Sequence, residues 1–304
     1  MTKLIATSVV RGSRQGESHG GVYLVDFDRE FVEQKIDWNT SGIEWEGRGW
    51  DRGLRGIAFA RGNVLIAASD ELFVYDPLFN LLSSYRSPYL KHCHEISVWR
   101  NMVYLTSTGF DSVLGFDLDR TEFTWGLALA PVGERLSFRG FDPCESDGPV
   151  RANVLHLNSI TASDGGLLLS GLRTRGLLRY DGRSLELVAS LPRGTHNAQP
   201  FRGGLLFNDT ASDLVRFVTP SRQQLFHVPS YEVATLTHID ADTSGIARQA
   251  FARGLCPVSD TVIAGGSSPS TIALHDLESG KTMRAVTLSR DLRNAIHGLA
   301  IWPY

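Results

Sequence analysis

The chain has 304 residues, 42% of them hydrophobic, enough to bury a sizeable core, and a formal net charge of -3 from 30 basic and 33 acidic side chains. The two signs are mixed along the chain, so no basic stripe is available to neutralise a phosphate backbone, and no apolar run reaches the ~20 residues of a membrane-spanning helix. Three cysteines without CxxC spacing (Cys93, Cys144, Cys256) argue against a disulfide framework and a thiolate zinc site, and the start "MTKLIATSVV" lacks a signal peptide's long apolar region and cleavage site, so a cytoplasmic protein is expected.

Taken in chain order, the elements are short. "LIATSVV" and "GVYLVDFDRE" read as strands, and from Arg55 a unit then recurs: "RGIAFARGNVLIAASDELFVYDP" from Arg55, "HEISVWRNMVYLTSTGFDSVLGFDLD" from His94 and "NSITASDGGLLLSGLRTRGLLRYDG" from Asn158. "HNAQPFRGGLLFNDTASDLVRFVTP" from His196 and "RGLCPVSDTVIAGGSSPSTIALHDLESG" from Arg253 continue it. Each copy has an apolar strand, a polar turn, a second apolar strand, a gap of small residues and a third strand. A period near 40 residues with this content is that of propeller blades. The last segment, "HGLAIWPY" from His297, supplies a first strand whose partners are the N-terminal strands. The expected fold is therefore all-β, one domain over residues 1–304, a six-bladed β-propeller closed by pairing of its C-terminal strand with N-terminal strands.

Third strands end in Tyr75-Asp76, Phe116-Asp117, Tyr180-Asp181 and His275-Asp276, with Phe217-Val218 departing from the pattern; these aspartates fit Asx-type turns. Two connections, between Asp119 and His156 and between Pro220 and Arg253, are long enough to form extra hairpins or a lid, and the aromatic link from Asp37 to Gly56 suits another wall.

Counting nine residues back from the second-strand starts Val64, Val103, Leu167, Leu205 and Val262 gives Arg55, His94, Asn158, His196 and Arg253, and the closing strand adds His297. All six are polar. First strands line a propeller's channel, so these residues ring one mouth, with His94, His196 and His297 on alternate blades at about 120°. Three neutral imidazoles suit one divalent transition metal per chain, zinc, iron or manganese, with open positions for substrate. His156, two residues before Asn158, is a further ligand candidate, and Glu95 beside His94 a candidate base. Arg55, Asn158 and Arg253 would orient a small polar or anionic substrate, the arginines through their paired donors.

These motifs resemble an uncharacterised bacterial propeller-like family. Its His-acid dipeptide before a strand is matched by His94-Glu95, its His-Leu-Asn segment by His156-Leu157-Asn158, its histidine before a glycine-turned hairpin by "THNAQPFRGGLLFND", and its "RGLAF"-type strand by "LRGIAF" and "ARGLCPV". The chain departs at Asn197-Ala198, where the family more often has Ser-Pro, and at Cys256, where it has alanine. The resemblance covers Arg55 to Pro303 and implies the propeller and its mouth residues without a reaction; likenesses to six-bladed lactonases and strictosidine synthase-like proteins are more distant and concern fold.

The leading functional expectation is a metal-dependent epimerase, isomerase or lyase acting on a small polar metabolite at the channel mouth. A metal-free module binding a small ligand with the same residues, and a protein-interaction propeller, are the alternatives.

Overall fold

The computed structural model describes residues 3–39, 53–133, 135–245 and 247–304. Among these residues the chain forms six antiparallel sheets, five with four strands and one with five, all in chain order except the sheet that takes in the C-terminal strand, and the fold is the all-β, six-bladed β-propeller. By compactness the chain divides into two units, Met1–Arg55 with Pro200–Tyr304, and Gly56–Gln199. No helix of the described residues is long and apolar enough to cross a membrane, which says nothing of strands.

In the first unit the strand Lys3–Val10 lies between Gly21–Asp26 and the C-terminal strand Asn294–Ile301, with Phe31–Asp37 outermost. This is the closure expected from the split copy. Flanked by a strand on either side, Lys3–Val10 buries every residue from Leu4 to Val10, whereas Phe31–Asp37 is largely exposed. Leu4, Ala6 and Val25 pack with Ile272, Leu274 and Ile296 of the same unit in one apolar cluster.

The closing register carries a fault. Leu4 faces Ile301 and Thr7 faces Gly298, but Ser8 faces Ile296, which leaves His297 as the extra residue of a β-bulge. The Thr7 hydroxyl fills the gap: it accepts a bond from the Gly298 N–H at 2.9 Å and donates one to the Arg55 carbonyl. Thr7 is fully buried, so water cannot replace it.

The sixth blade holds a buried histidine. His275 stacks on Phe226 with ring centres 4.7 Å apart and pairs its Nδ1 with the Thr282 hydroxyl at 2.9 Å. Desolvation pushes its pKa down to about 4.

In the second unit, the second and fourth blades have four strands each, Ile57–Ala60 to Leu81–Arg86 and Leu157–Ser163 to Leu185–Ser190. The third blade has five, because the long connection after Asp119 extends the strand Glu122–Val132 and returns as Arg135–Phe141. The extra hairpin is thus the use of that connection. Leu65, Leu72, Leu105, Leu114 and Phe116 form one apolar cluster of this unit, and Val113, Leu127, Leu157, Leu169 and Leu178 another.

The aspartates that end third strands act as the sequence predicts. Asp76 accepts from the N–H groups of Leu78 and Asn80, Asp117 from Asp119 and Arg120, Asp181 from Arg183 and Ser184, and Asp276 from Glu278. The Asn80 side-chain amide on Asp76, the Ser279 hydroxyl on Asp276 and the backbone N–H groups on Asp117 and Asp181 are the foremost of the donors that hold all four carboxyls below their ordinary pKa. Asp26 closes a turn in the same way, with Asp28 and Arg29.

The second long connection, in the first unit, contains a 3-10 turn, Val233–Thr235, and one helical turn, Asp240–Thr243. Thr237 within it donates to the Arg290 carbonyl and accepts from the Leu292 N–H, clipping the connection beside the closing strand. Of the aromatic link from Asp37 to Gly56, residues 40–52 lie outside the described residues.

Replacing Thr7 by Val leaves the buried Gly298 N–H and Arg55 carbonyl without this partner. The expected cost is about 2 kcal/mol, a fall in melting temperature of roughly 5 °C, and Thr7→Ser should recover most of it. An unchanged melting curve for Thr7→Val would show that the hydroxyl does not hold the closure.

His275 sets a pH dependence. Its folded pKa, about 4, lies below the ordinary 6.5, so between these values the unfolded chain binds the proton more tightly. The stabilisation, on the order of 3 kcal/mol, is complete above about pH 6.5 and lost as pH falls toward 4. Denaturant midpoints should fall less steeply over that range in His275→Gln than in the parent; parallel curves would refute this.

Candidate functional site

Three of the histidines singled out by the sequence come together within the Gly56–Gln199 unit. The ring centres of His94 and His156 are 5.1 Å apart, those of His94 and His196 6.4 Å, and those of His156 and His196 6.5 Å. His94 and His196 are buried, and His156 is partly exposed.

Each ring is held by a different local device. His94 precedes the strand Ile96–Trp99, and one hydroxyl, that of Thr106, accepts both its N–H (3.1 Å) and the N–H of Glu95 (3.0 Å). Its Nδ1 lies 2.8 Å from the His92 carbonyl and 2.8 Å from the Thr108 hydroxyl. That hydroxyl donates to the Leu157 carbonyl, so toward the ring it is an acceptor. Nδ1 therefore carries the proton.

His156 ends the long connection in the left-handed conformation, φ 56°. The Asp111 carboxylate accepts the N–H groups of Val154 (2.6 Å), Leu155 (2.9 Å) and His156 (2.8 Å) in succession. On the opposite edge the Arg173 guanidinium donates to the carbonyls of Asn153 and Val154, and the Arg173 N–H to that of Leu155. Gly171 sits against this segment so closely that a Cβ there would meet the His156 carbonyl at 2.5 Å. His156 Nδ1 pairs with Asn153 Oδ1 at 2.9 Å.

His196 directs Nδ1 to the Gly194 carbonyl at 3.2 Å. A carbonyl can only accept, and the same holds for Asn153 Oδ1. All three rings are thus Nδ1–H tautomers with the lone pair on Nε2, the form in which imidazole binds a metal.

Two more residues from the sequence reading lie in the same unit. Glu95 accepts bonds from Asn197 Nδ2 and, at 3.2 Å, from the Ile160 N–H. Burial pushes its carboxyl up to about 7 against the pull of these donors and of Ser159. Asn158 is the extra residue of a bulge between Leu157 and Ser159, and its Nδ2 donates to the Thr195 carbonyl at 3.0 Å, beside His196. Its Oδ1 is buried and accepts no bond from a described residue.

The other three belong to the Met1–Arg55 and Pro200–Tyr304 unit. Arg55 is fully buried. Arg253 lies 4.9 Å over the Phe251 ring, which Arg11 and Arg248 also approach to 5.0 Å. His297 is buried at the bulge described above.

A tetrahedral metal with nitrogen ligands at about 2.0–2.1 Å sets neighbouring imidazole centres on the order of 5 Å apart. His94 and His156 meet this spacing, and His196 stands about 1 Å beyond it. Among the described residues no three His, Cys, Asp or Glu side chains are already drawn close enough to hold an ion.

The sequence picked out His94, Glu95, His156, Asn158 and His196. It gave no sign of Asp111, Thr106, Thr108 or Arg173, whose side chains fix those residues, because ordinary loop composition does not mark them.

No protein-family model matches the chain, and no curated protein matches it. Among solved structures the chain is similar to one in a nidogen/laminin complex, with a TM-score of 0.61 and 11% identity over 98% of each chain. It is similar also to a protein of unknown function from Bacteroides caccae (TM-score 0.58, 10% identity, 100% of each chain) and to apo AztD from Citrobacter koseri (TM-score 0.50, 12% identity, 98% of this chain and 97% of that one). At these identities the likeness is one of fold, and it runs the length of the chain.

Proposed function

We propose that His94, His156 and His196 hold one divalent transition metal, zinc, iron or manganese, and that the chain is an enzyme of the epimerase, isomerase or lyase type acting on a small polar or anionic metabolite. The observation that carries this reading is the convergence of three imidazoles whose Nδ1 atoms are all turned to acceptors. A metal bound there would supply Lewis acidity to a substrate carbonyl or carboxylate.

The chain's own groups would do the rest. Glu95, adjacent to His94 and held by Asn197 and Ile160, is the candidate base for a proton next to that carbonyl. Asn158, its amide nitrogen committed to Thr195, offers Oδ1 to a substrate hydroxyl. A reducing cytoplasm suits the odd number of cysteines.

The test is metal content by mass spectrometry on protein purified without an affinity tag, for the parent and for His94→Ala, His156→Ala and His297→Ala. About one equivalent is expected in the parent, with at least a tenfold loss of affinity in His94→Ala and His156→Ala and none in His297→Ala. Loss in His297→Ala with retention in His156→Ala would favour the alternate-blade set. No metal after reconstitution would overturn the enzyme reading in favour of a metal-free binding module.

A further inference from the structure

A cavity of about 570 Å³ opens beside the segment that carries His156, within the Gly56–Gln199 unit. Four arginines line it: Arg135 from the extra strand of the third blade, Arg173 and Arg175 from the turn after Gly166–Gly171, and Arg193 from the loop after Leu185–Ser190. Val154 and Leu155 form part of its wall. No acidic side chain among the described residues lines it, and Arg135, Arg175 and Arg193 form no ion pair with a described carboxylate.

Four guanidinium groups around one concavity repel one another, and an anion between them relieves that repulsion while taking bonds from their paired donors. Elsewhere in the same unit, arginines stand against carboxylates: Arg61 with Asp119, Arg100 with Asp164, Arg139 with Asp147 and Arg179 with Glu186. Its volume lies in the range of small-molecule pockets, and its concave form favours a compact group over an extended polyanion.

We propose that this cavity binds a tetrahedral oxyanion, the phosphoryl or sulfuryl group of a small metabolite. Arg135, Arg175 and Arg193 grip the anion, and Arg173 contributes charge while it holds the Asn153 and Val154 carbonyls. The same segment continues into His156, so an anion seated here lies next to the histidine cluster in the chain. That this group is the anionic end of the enzyme's substrate rests on the metal reading given above; anion binding itself does not.

The experiment is isothermal titration of inorganic phosphate, sulfate, malonate and a short single-stranded oligonucleotide into chelator-stripped protein at fixed ionic strength. It compares the parent with an Arg135→Gln, Arg175→Gln, Arg193→Gln triple variant, whose substituted side chains are exposed in the parent. Phosphate or sulfate should bind the parent at one site, and at least tenfold more weakly in the variant, with the melting temperature of the free proteins unchanged. Which of the two binds tighter tells a phosphoryl from a sulfuryl ligand. Equal affinity in the variant, no binding at concentrations on the order of 10 mM, or preference for malonate or the oligonucleotide would overturn the proposal. Stripping the metal first keeps this result apart from the fate of the metal centre, since phosphate binding is expected whether or not the histidines hold an ion.

Discussion

The Asp111 carboxylate accepts three successive backbone N–H groups, from Val154, Leu155 and His156, and so decides where the chain enters the fourth blade. A carboxylate facing consecutive amides is an anion in a backbone nest, with partial positive charge aligned on it. Desolvation raises its pKa while those amides pull it down, so the bond network works against the cost of burying the charge. Asp111 is itself in the left-handed conformation, φ 44°, which turns it out of the line of the strand it precedes. With Arg173 on the opposite edge, it fixes the segment that sets the His156 ring 5.1 Å from that of His94.

The blade plan was legible because a unit of apolar strands and turns recurs at a period near 40 residues, and turn chemistry is a local property. Asp76, Asp117, Asp181 and Asp276 do in space what their place after an aromatic or histidine residue suggests. Pairing of the two chain ends was legible for a related reason, since a copy missing its first strand and a terminal strand missing its partners have one solution. The rim was less legible. Counting residues back from a strand assumes unbroken register, yet His297 and Asn158 are bulge residues, and His92, His156 and Asn197 have φ of 54°, 56° and 54°. Each such fault redirects a side chain without changing composition. Counting selects His94 and His196; His156, found only as a neighbour of Asn158, is the third ring that stands beside them within the Gly56–Gln199 unit.

Two chemistries meet on the stretch from Asn153 to His156. Its N–H groups face the Asp111 carboxylate and its carbonyls face Arg173, so the segment is clamped from its two edges by side chains of opposite charge. Clamping from both edges limits how the His156 ring can move. His196 is held more loosely: its ring is the more distant, and its Nδ1 bond, at 3.2 Å, is the longest of the three.

Pairing of Lys3–Val10 with Asn294–Ile301 also has a cost in time. During synthesis the N-terminal strand leaves the ribosome first, and one of its edges has no native partner until nearly 300 further residues have been made, on the order of tens of seconds later. An apolar edge held open that long is a template for pairing with other nascent chains. The blades formed entirely from neighbouring segments can close at once, so the split blade is the slow and aggregation-exposed step in making this protein.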